Sequence, residues 1–507
     1  MKPQILAFYL PQYHRTPEND AWWGEGYTDW TAVKAAEQLY EGHNQPRVPL
    51  DNNYYDLLEH DTLAWQAEVM RDYCIDGMCF YHYWFEKGKR VLEKPAENLL
   101  KWGDIPMSFC FCWANETWRR TWSKMKQGNV WAAKYENDND YAVKEDGILL
   151  AQDYGGEDEW ETHLQYLLPF FRDERYIRFD GKPVFGIYRP GDDIILYRMV
   201  RYWDKRIKDY GFPGIYFIGM EEDRIGLTAT CRRQPVYAIQ SYQKDYPVTV
   251  ETLKRYPYKE LWRRVIEGDV EINAKEYMAC GFVDFDTTPR MGKQGYVTED
   301  VNENVFEKYF SVLYQKSQRL NRRAVFVNAW NEWGEGNYLE PDLKNNFRFL
   351  AAIRNVVMNA GRGNHDGCDK ADAWLDQKRR IRLEISNQNL KAHDDLLERW
   401  MCLKENGINC STYFKNHAYK AIAVYGVGKL GRHLTNELVN TDIEVRYGID
   451  RDRKAHPWLM VYTLEDELPD VDAVVITVMD QYGEIGRLLD TKTDAEMIPI
   501  EEVIYSL

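Results

Sequence analysis

The feature that most constrains this chain is an alternation. Short apolar, β-prone runs recur between stretches of helical period. Ile5 to Leu10, Gly77 to Phe85, Met107 to Cys112, Pro183 to Pro190, Gly214 to Met220, Tyr237 to Tyr242, Cys280 to Asp286 and Ala324 to Asn328 read as strands. His60 to Tyr73, Leu92 to Trp102, His163 to Tyr176, Ile194 to Tyr210, Glu260 to Glu267, Val301 to Leu320 and Phe347 to Val357 read as helices. Strands joined through helices imply a parallel sheet with helices outside it, because a parallel pair needs a long crossover. Eight such units over about 350 residues predict an α/β fold, a closed (β/α)8 TIM-like barrel, with an open doubly wound sheet as the alternative. Polar and aromatic residues gather after the strands, where such barrels build their sites.

The last strand carries the sharpest signal. Ala324-Val325-Phe326-Val327-Asn328 runs into Ala329-Trp330-Asn331-Glu332-Trp333-Gly334-Glu335-Gly336. Two glycines and the preceding β run argue against a helix, so Glu332 and Glu335 are not simply a solvated helical face. Two carboxyls among indoles can move protons to and from sugar oxygens while a pyranose ring stacks nearby. Both tryptophans also fit a plain core role. Around this pair, Tyr13, His14, Asp29, Trp30, His82, Trp84, Asn115, Glu116, Tyr188, Trp330, Asn331 and Trp333 are candidate sugar-binding residues. They lie at strand ends or in the loop Trp22-Trp23-Gly24-Glu25-Gly26-Tyr27-Thr28-Asp29-Trp30. Asp284-Phe285-Asp286 has the form of a metal-binding Asp-x-Asp pair, but it sits inside a strand-like run, and no metal is assigned.

At 507 residues the chain exceeds one ordinary core. The expected divisions are a catalytic barrel at 1–360, a helical linker at 361–415 and a small Rossmann-like domain at 416–507. Gly361 to Gly367 marks the first break, and Ala371 to Glu405 reads as a long polar helix. In the last segment the strand Ala421 to Tyr425 precedes Gly426-Val427-Gly428-Lys429-Leu430-Gly431, and a second strand ends at Asp450. Gly426, Gly428 and Gly431 with Asp450 match a dinucleotide fingerprint in its proper setting. The alternative is a degenerate unit used for docking. A nucleotide is therefore a possible cofactor there, and none is required for the barrel chemistry.

A net charge of −16 argues against nucleic acid and against an anionic membrane surface. Aromatic content of 14%, with 18 Trp and 36 Tyr, suits a carbohydrate cleft. The nine cysteines are scattered without Cys-x-x-Cys spacing, which fits buried thiols in a reducing cytoplasm. The N-terminal apolar run is too short for a signal peptide, and no run is long enough for a membrane span.

The motifs "AFYLPQYH", "WWGEGYTDW", "GHNQPRVPLD", "YHYWF", "FCWANETW" and "FVNAWNEWGEGNYLEPD" occur in that order. Together they resemble the WbsX-type glycosyltransferase family, which is related to the endo-α-mannosidases of glycoside hydrolase family 99. The resemblance covers roughly residues 1–360 and leaves out the C-terminal segment. It implies a (β/α)8 barrel. It also implies that Glu332 is a base for a sugar 2-hydroxyl, through an anhydro-sugar intermediate, and Glu335 the acid/base for the leaving oxygen. Three functions stay open: a transferase building a bacterial cell-surface polysaccharide such as lipopolysaccharide O-antigen or capsule, a retaining endo-acting hydrolase or transglycosylase, and a non-catalytic glycan-binding protein. The expected partners are an oligosaccharide or polysaccharide and a nucleotide sugar or lipid-linked glycan. The expected place is the cytoplasm, at most peripheral to the inner membrane.

Overall fold

The computed structural model describes residues 2–119, 148–191, 194–220, 226–246, 253–270, 272, 276–360, 391–450, 459–479 and 482–507. Contacts divide the chain into two compact units, Met1–Leu375 and Asp376–Leu507. The first unit is a closed barrel of eight parallel strands. These are β1 Gln4–Tyr9, β2 Gly77–His82, β3 Phe109–Trp113, β4 Lys182–Ile187, β5 Tyr216–Gly219, β6 Ala229–Cys231, β7 Tyr277–Phe282 and β8 Ala324–Asn328. Each strand pairs with the next in sequence, and β8 closes on β1 with Ala324 opposite Gln4. Helices cover the outer face, so strands such as β2 and β3 are buried at every position. That double burial is why they read as continuous apolar runs.

One strand assignment is corrected. Tyr237 to Tyr242 lies in the helix Val236–Asp245, and the sixth barrel strand is the three-residue Ala229–Cys231 before it. In the helix, Ala238 and Ile239 are buried and Tyr242 is partly buried, a spacing that serves a helical face as well as a strand. A three-residue strand is too short to show any period. The acids 221–223, the glycine break at 361–367 and the first part of the linker lie outside the described residues.

The N-terminal side of the barrel is fastened by buried charge. Asp269 accepts from Arg322 Nη1 at 2.6 Å and lies 2.9 Å from Lys316 Nζ, while Arg322 Nη2 donates to the Ile272 carbonyl at 2.5 Å. Arg322 is fully buried.

The second unit holds five parallel strands: β9 Ala421–Tyr425, β10 Glu444–Ile449, β11 Val461–Tyr462, β12 Ala473–Ile476 and β13 Glu496–Pro499. Their order across the sheet is β11-β10-β9-β12-β13. Residues 391–405 are helical. Leu396, Trp400 and Leu403 of that stretch are buried with Ile422, Val424 and Leu434, so this half of the linker is core of the second unit. Eight cysteines among the described residues are free, six of them buried.

Asp269→Ala leaves two buried cations without their carboxylate. It is expected to destabilise the barrel by about 3–5 kcal/mol, read as a lowered denaturant midpoint.

Candidate active site

Past Asn328 the chain forms a short hairpin, Asn331–Glu332 against Asn337–Tyr338, closed by the 3-10 turn Trp333–Glu335. Gly336 takes φ 61°, and a Cβ there would lie 2.8 Å from the Asp286 Cβ. Gly334 serves a different need. A Cβ on it would stand 2.7 Å from Nε of Arg290, so its missing side chain lets that guanidinium lie against the turn.

Arg290 comes from the short helix Thr288–Met291 that follows β7. Its Nη2 donates to Asp29 Oδ2 at 2.7 Å and to Glu332 Oε1 at 2.8 Å, and its Nη1 donates to Glu335 Oε1 at 3.0 Å. One cation thus gathers three carboxylates. Burial pushes Glu332 up to about 8; Arg290 pulls the other way, and repulsion from Glu335 and Asp29 adds to the rise. Burial opposes the Arg290 charge, yet Glu332, Asp29 and Glu335 raise its pKa well above the usual value. The Glu335 side chain is more open than that of Glu332, 24% against 10% exposed.

These groups floor a cavity of about 400 Å3. Asp29, Glu116, Tyr188, Glu332 and Glu335 of the expected residues line it. Trp22, Trp23, Tyr27, Trp118, Tyr81, Tyr83, Arg233 and Arg290 complete much of the wall. Glu116 pairs with Arg189 at 2.6 Å, and Tyr188 is hydrogen-bonded to Arg233.

The other expected residues do not line it. His82 and Trp84 point away: His82 Nε2 meets His163 Nε2 at 2.8 Å, and Trp84 stacks on His163 at 4.1 Å. Burial lowers His82 to about 3. Alternate residues of a strand face opposite ways, so Tyr81 and Tyr83 hold the inward positions. Asn115 is a tie, accepting from the Arg189 N–H and donating to the Arg189 carbonyl and the Tyr154 hydroxyl. Asn331 ties the hairpin to Leu10 N–H and C=O. His14 is 1% exposed, and burial lowers its pKa. Tyr13 is buried under the floor, where its hydroxyl accepts from the Trp333 N–H at 3.0 Å. Trp30 packs on Tyr13 and donates from Nε1 to the Tyr55 carbonyl.

Trp330 and Trp333 are core, 0% and 1% exposed. Both indole N–H groups donate to Glu340, at 2.9 and 2.7 Å, and Tyr55 and Gln66 donate to the same carboxylate at 2.7 and 2.8 Å. Burial pushes Glu340 up to about 7, against four donors that favour its charged form. The acid in "NYLEPD" gave no hint of this, since Tyr55 and Gln66 come from a distant part of the chain.

Asp284 and Asp286 already have counter-charges. Arg47 Nη1 donates to Asp284 at 2.7 Å, and His43 and Gln45 bond Asp286 at 3.0 and 2.8 Å. Burial raises Asp286, but His43 and Arg47 outweigh it and hold the acid down to about 2. Its Oδ1 accepts from the Thr288 N–H, which starts the turn bearing Arg290. Among the described residues no group of three or more His, Cys, Asp or Glu is arranged to hold a metal. Arg290 and Arg233 escaped sequence reasoning because isolated arginines carry no spacing pattern.

Comparison with known proteins adds the following. Two proteins of Xanthomonas campestris pv. campestris strains, each named "Uncharacterized protein WxcX", are 29% identical over 373 residues, 70% of this chain and 50% of theirs. The chain thus spans about half the length of these curated relatives. Among solved structures, a "Glycoside hydrolase-like protein" aligns at TM-score 0.42 with 13% identity, over 70% of this chain and 94% of that one. The GH99 endo-alpha-mannosidase from Bacteroides thetaiotaomicron aligns at 0.39 with 12% identity, over 71% and 98%. The family described as "Glycosyltransferase WbsX" matches residues 5–353, well over half of the sequence, and the chain belongs to that family.

Proposed function

We propose that this chain is a glycosyltransferase of bacterial cell-surface polysaccharide assembly and that its barrel cavity makes a glycosidic bond. The observation that carries this reading is the convergence of Glu332, Glu335 and Asp29 on Arg290 at the floor of an aromatic-walled cavity. Family membership supports the substrate class. Glu332 takes the proton of the hydroxyl beside the anomeric carbon, and that oxygen closes on the anomeric carbon as the leaving group departs. Glu335 gives its proton to the leaving oxygen and then takes one from the incoming acceptor hydroxyl, whose oxygen bonds to the anomeric carbon as the anhydro ring opens and the freed oxygen takes back the proton held by Glu332. Arg290 keeps both carboxyls aligned while charge passes between them.

The glycan is an oligosaccharide, a nucleotide sugar or a lipid-linked intermediate, and the reaction belongs on the cytoplasmic side of the inner membrane. Among the described residues no helix is long and apolar enough to cross a membrane. A second reading, a retaining endo-acting hydrolase or transglycosylase, is favoured by the commitment of Asp284 and Asp286 to Arg47, His43 and Gln45. That pair has no free carboxylate to offer a metal-bound diphosphate. Water in place of the acceptor hydroxyl gives that outcome with the same two glutamates.

Turnover measured on nucleotide sugars with glycan acceptors, and on α-mannosides alone, separates the two. Transfer without release of reducing sugar is the expected result. Glu335→Gln is expected to lose about 100-fold or more in kcat with sugar binding retained by calorimetry; undiminished turnover removes the assignment of Glu335. Glu332 works as a base only once ionised, and it is protonated through neutral pH. Its kcat/KM should therefore rise by about tenfold per pH unit on the acid side and level off near pH 8. A profile that falls across the same window means Glu332 is the proton donor, with the two roles exchanged.

A further inference from the structure

The three glycines of the turn after β9 are not equivalent. Gly426 takes φ +82°, and a Cβ on it would lie 2.8 Å from Val478 Cγ2. A Cβ on Gly431 would lie 2.5 Å from the Gly426 carbonyl oxygen. The fold itself demands both. It makes no such steric demand at Gly428, where a Cβ would meet nothing within 4 Å.

The open space above Gly428 belongs to a cavity of about 520 Å3, lined also by His393, Lys429, Asp450, Thr477 and Glu501. This cavity lies at the carboxyl ends of β9 and β12, where the strand order of the sheet reverses. In open parallel sheets that crevice is where ligands bind. Asp450 follows β10 and is fixed at the rim, its Oδ2 accepting from the Val427 N–H at 3.0 Å. Glu501 lines the same cavity, and its Oε2 is buried with no hydrogen-bond partner among the described residues. A buried acceptor of this kind is costly unless something satisfies it.

We infer that this cavity binds a nucleotide in which a ribose diol is joined to a diphosphate. The Gly428 backbone then passes close to the diphosphate, with the Lys429 ammonium as counter-charge. The carboxylates of Asp450 and Glu501 accept from sugar hydroxyls, and the same two acids repel a 2′-phosphate. All these residues lie in the second unit, so the inference stands independently of the barrel chemistry. A dinucleotide and a nucleotide sugar share the required chemistry.

The test is calorimetry and thermal shift on the full chain with NAD+, NADP+, ADP and a uridine diphosphate sugar. Binding of NAD+, or of the nucleotide sugar with ADP, is expected, and which of them responds identifies the source. NADP+ should bind at least about tenfold more weakly than NAD+. Gly428→Ala and Gly428→Val should leave the melting temperature of the ligand-free protein unchanged and weaken binding by about tenfold or more. Glu332→Gln, in the barrel, should leave that binding unaltered. Absence of binding at millimolar ligand overturns the inference. So does equal binding by the Gly428 variants, or loss of binding in Glu332→Gln, which would place the nucleotide in the barrel.

Discussion

A single guanidinium holds the barrel's candidate site together. Arg290 reaches Asp29, which opens the helix Asp29–Ala35 that the sequence suggested was loop, and both glutamates from the β8 hairpin, all within 3.0 Å. Without that cation, three carboxyls would crowd a space that burial has largely stripped of water, and their mutual repulsion would drive protons onto them. The charge also divides the pair. Glu332, deeper and less hydrated, holds its proton near neutral pH, while Glu335 sits closer to solvent. Unequal burial around a shared counter-ion sets two identical side chains apart, and here it makes the ionisation of Glu332 the step that must precede its work as a base.

Everything under that ion serves to hold it still. Asp286, kept charged by His43 and Arg47, receives the Thr288 N–H and so sets the turn that presents Arg290. Glu340, with four donors on its two oxygens, locks Trp330 and Trp333 beneath the hairpin. The Asn331 amide clamps the same hairpin to β1. A reacting geometry needs such support, because small displacements of proton-transfer groups are expensive in rate.

Much of this was legible in the chain, for reasons particular residues make plain. Apolar runs such as Ile5 to Tyr9 announce buried parallel strands, because helices cover their outer face. The Trp-Asn-Glu-Trp-Gly-Glu stretch announced a loop at a strand end. What failed was direction. Tyr81-His82-Tyr83-Trp84 contains four plausible sugar-binding residues, and only the register of β2 decides that the tyrosines face the cavity. Trp330 and Trp333 sit beside the glutamates in sequence, yet both indoles are buried and donate to Glu340. Tyr237 to Tyr242 misled because Ala238 and Ile239 fit a helical stripe equally well. Arg290 and Arg233 act through partners tens to hundreds of residues away, as Glu340 does through Tyr55 and Gln66, and no local pattern records such pairings.

The buried state of the two hairpin indoles has a further consequence. Since they belong to the foundation, the indoles that line the cavity are those of Trp22, Trp23 and Trp118, which lie outside the eight barrel strands. The carboxylates on Arg290 and these indoles are thus carried by separate stretches of polypeptide, so altering a peripheral segment can reshape the mouth of the cavity without disturbing the ion cluster at its floor.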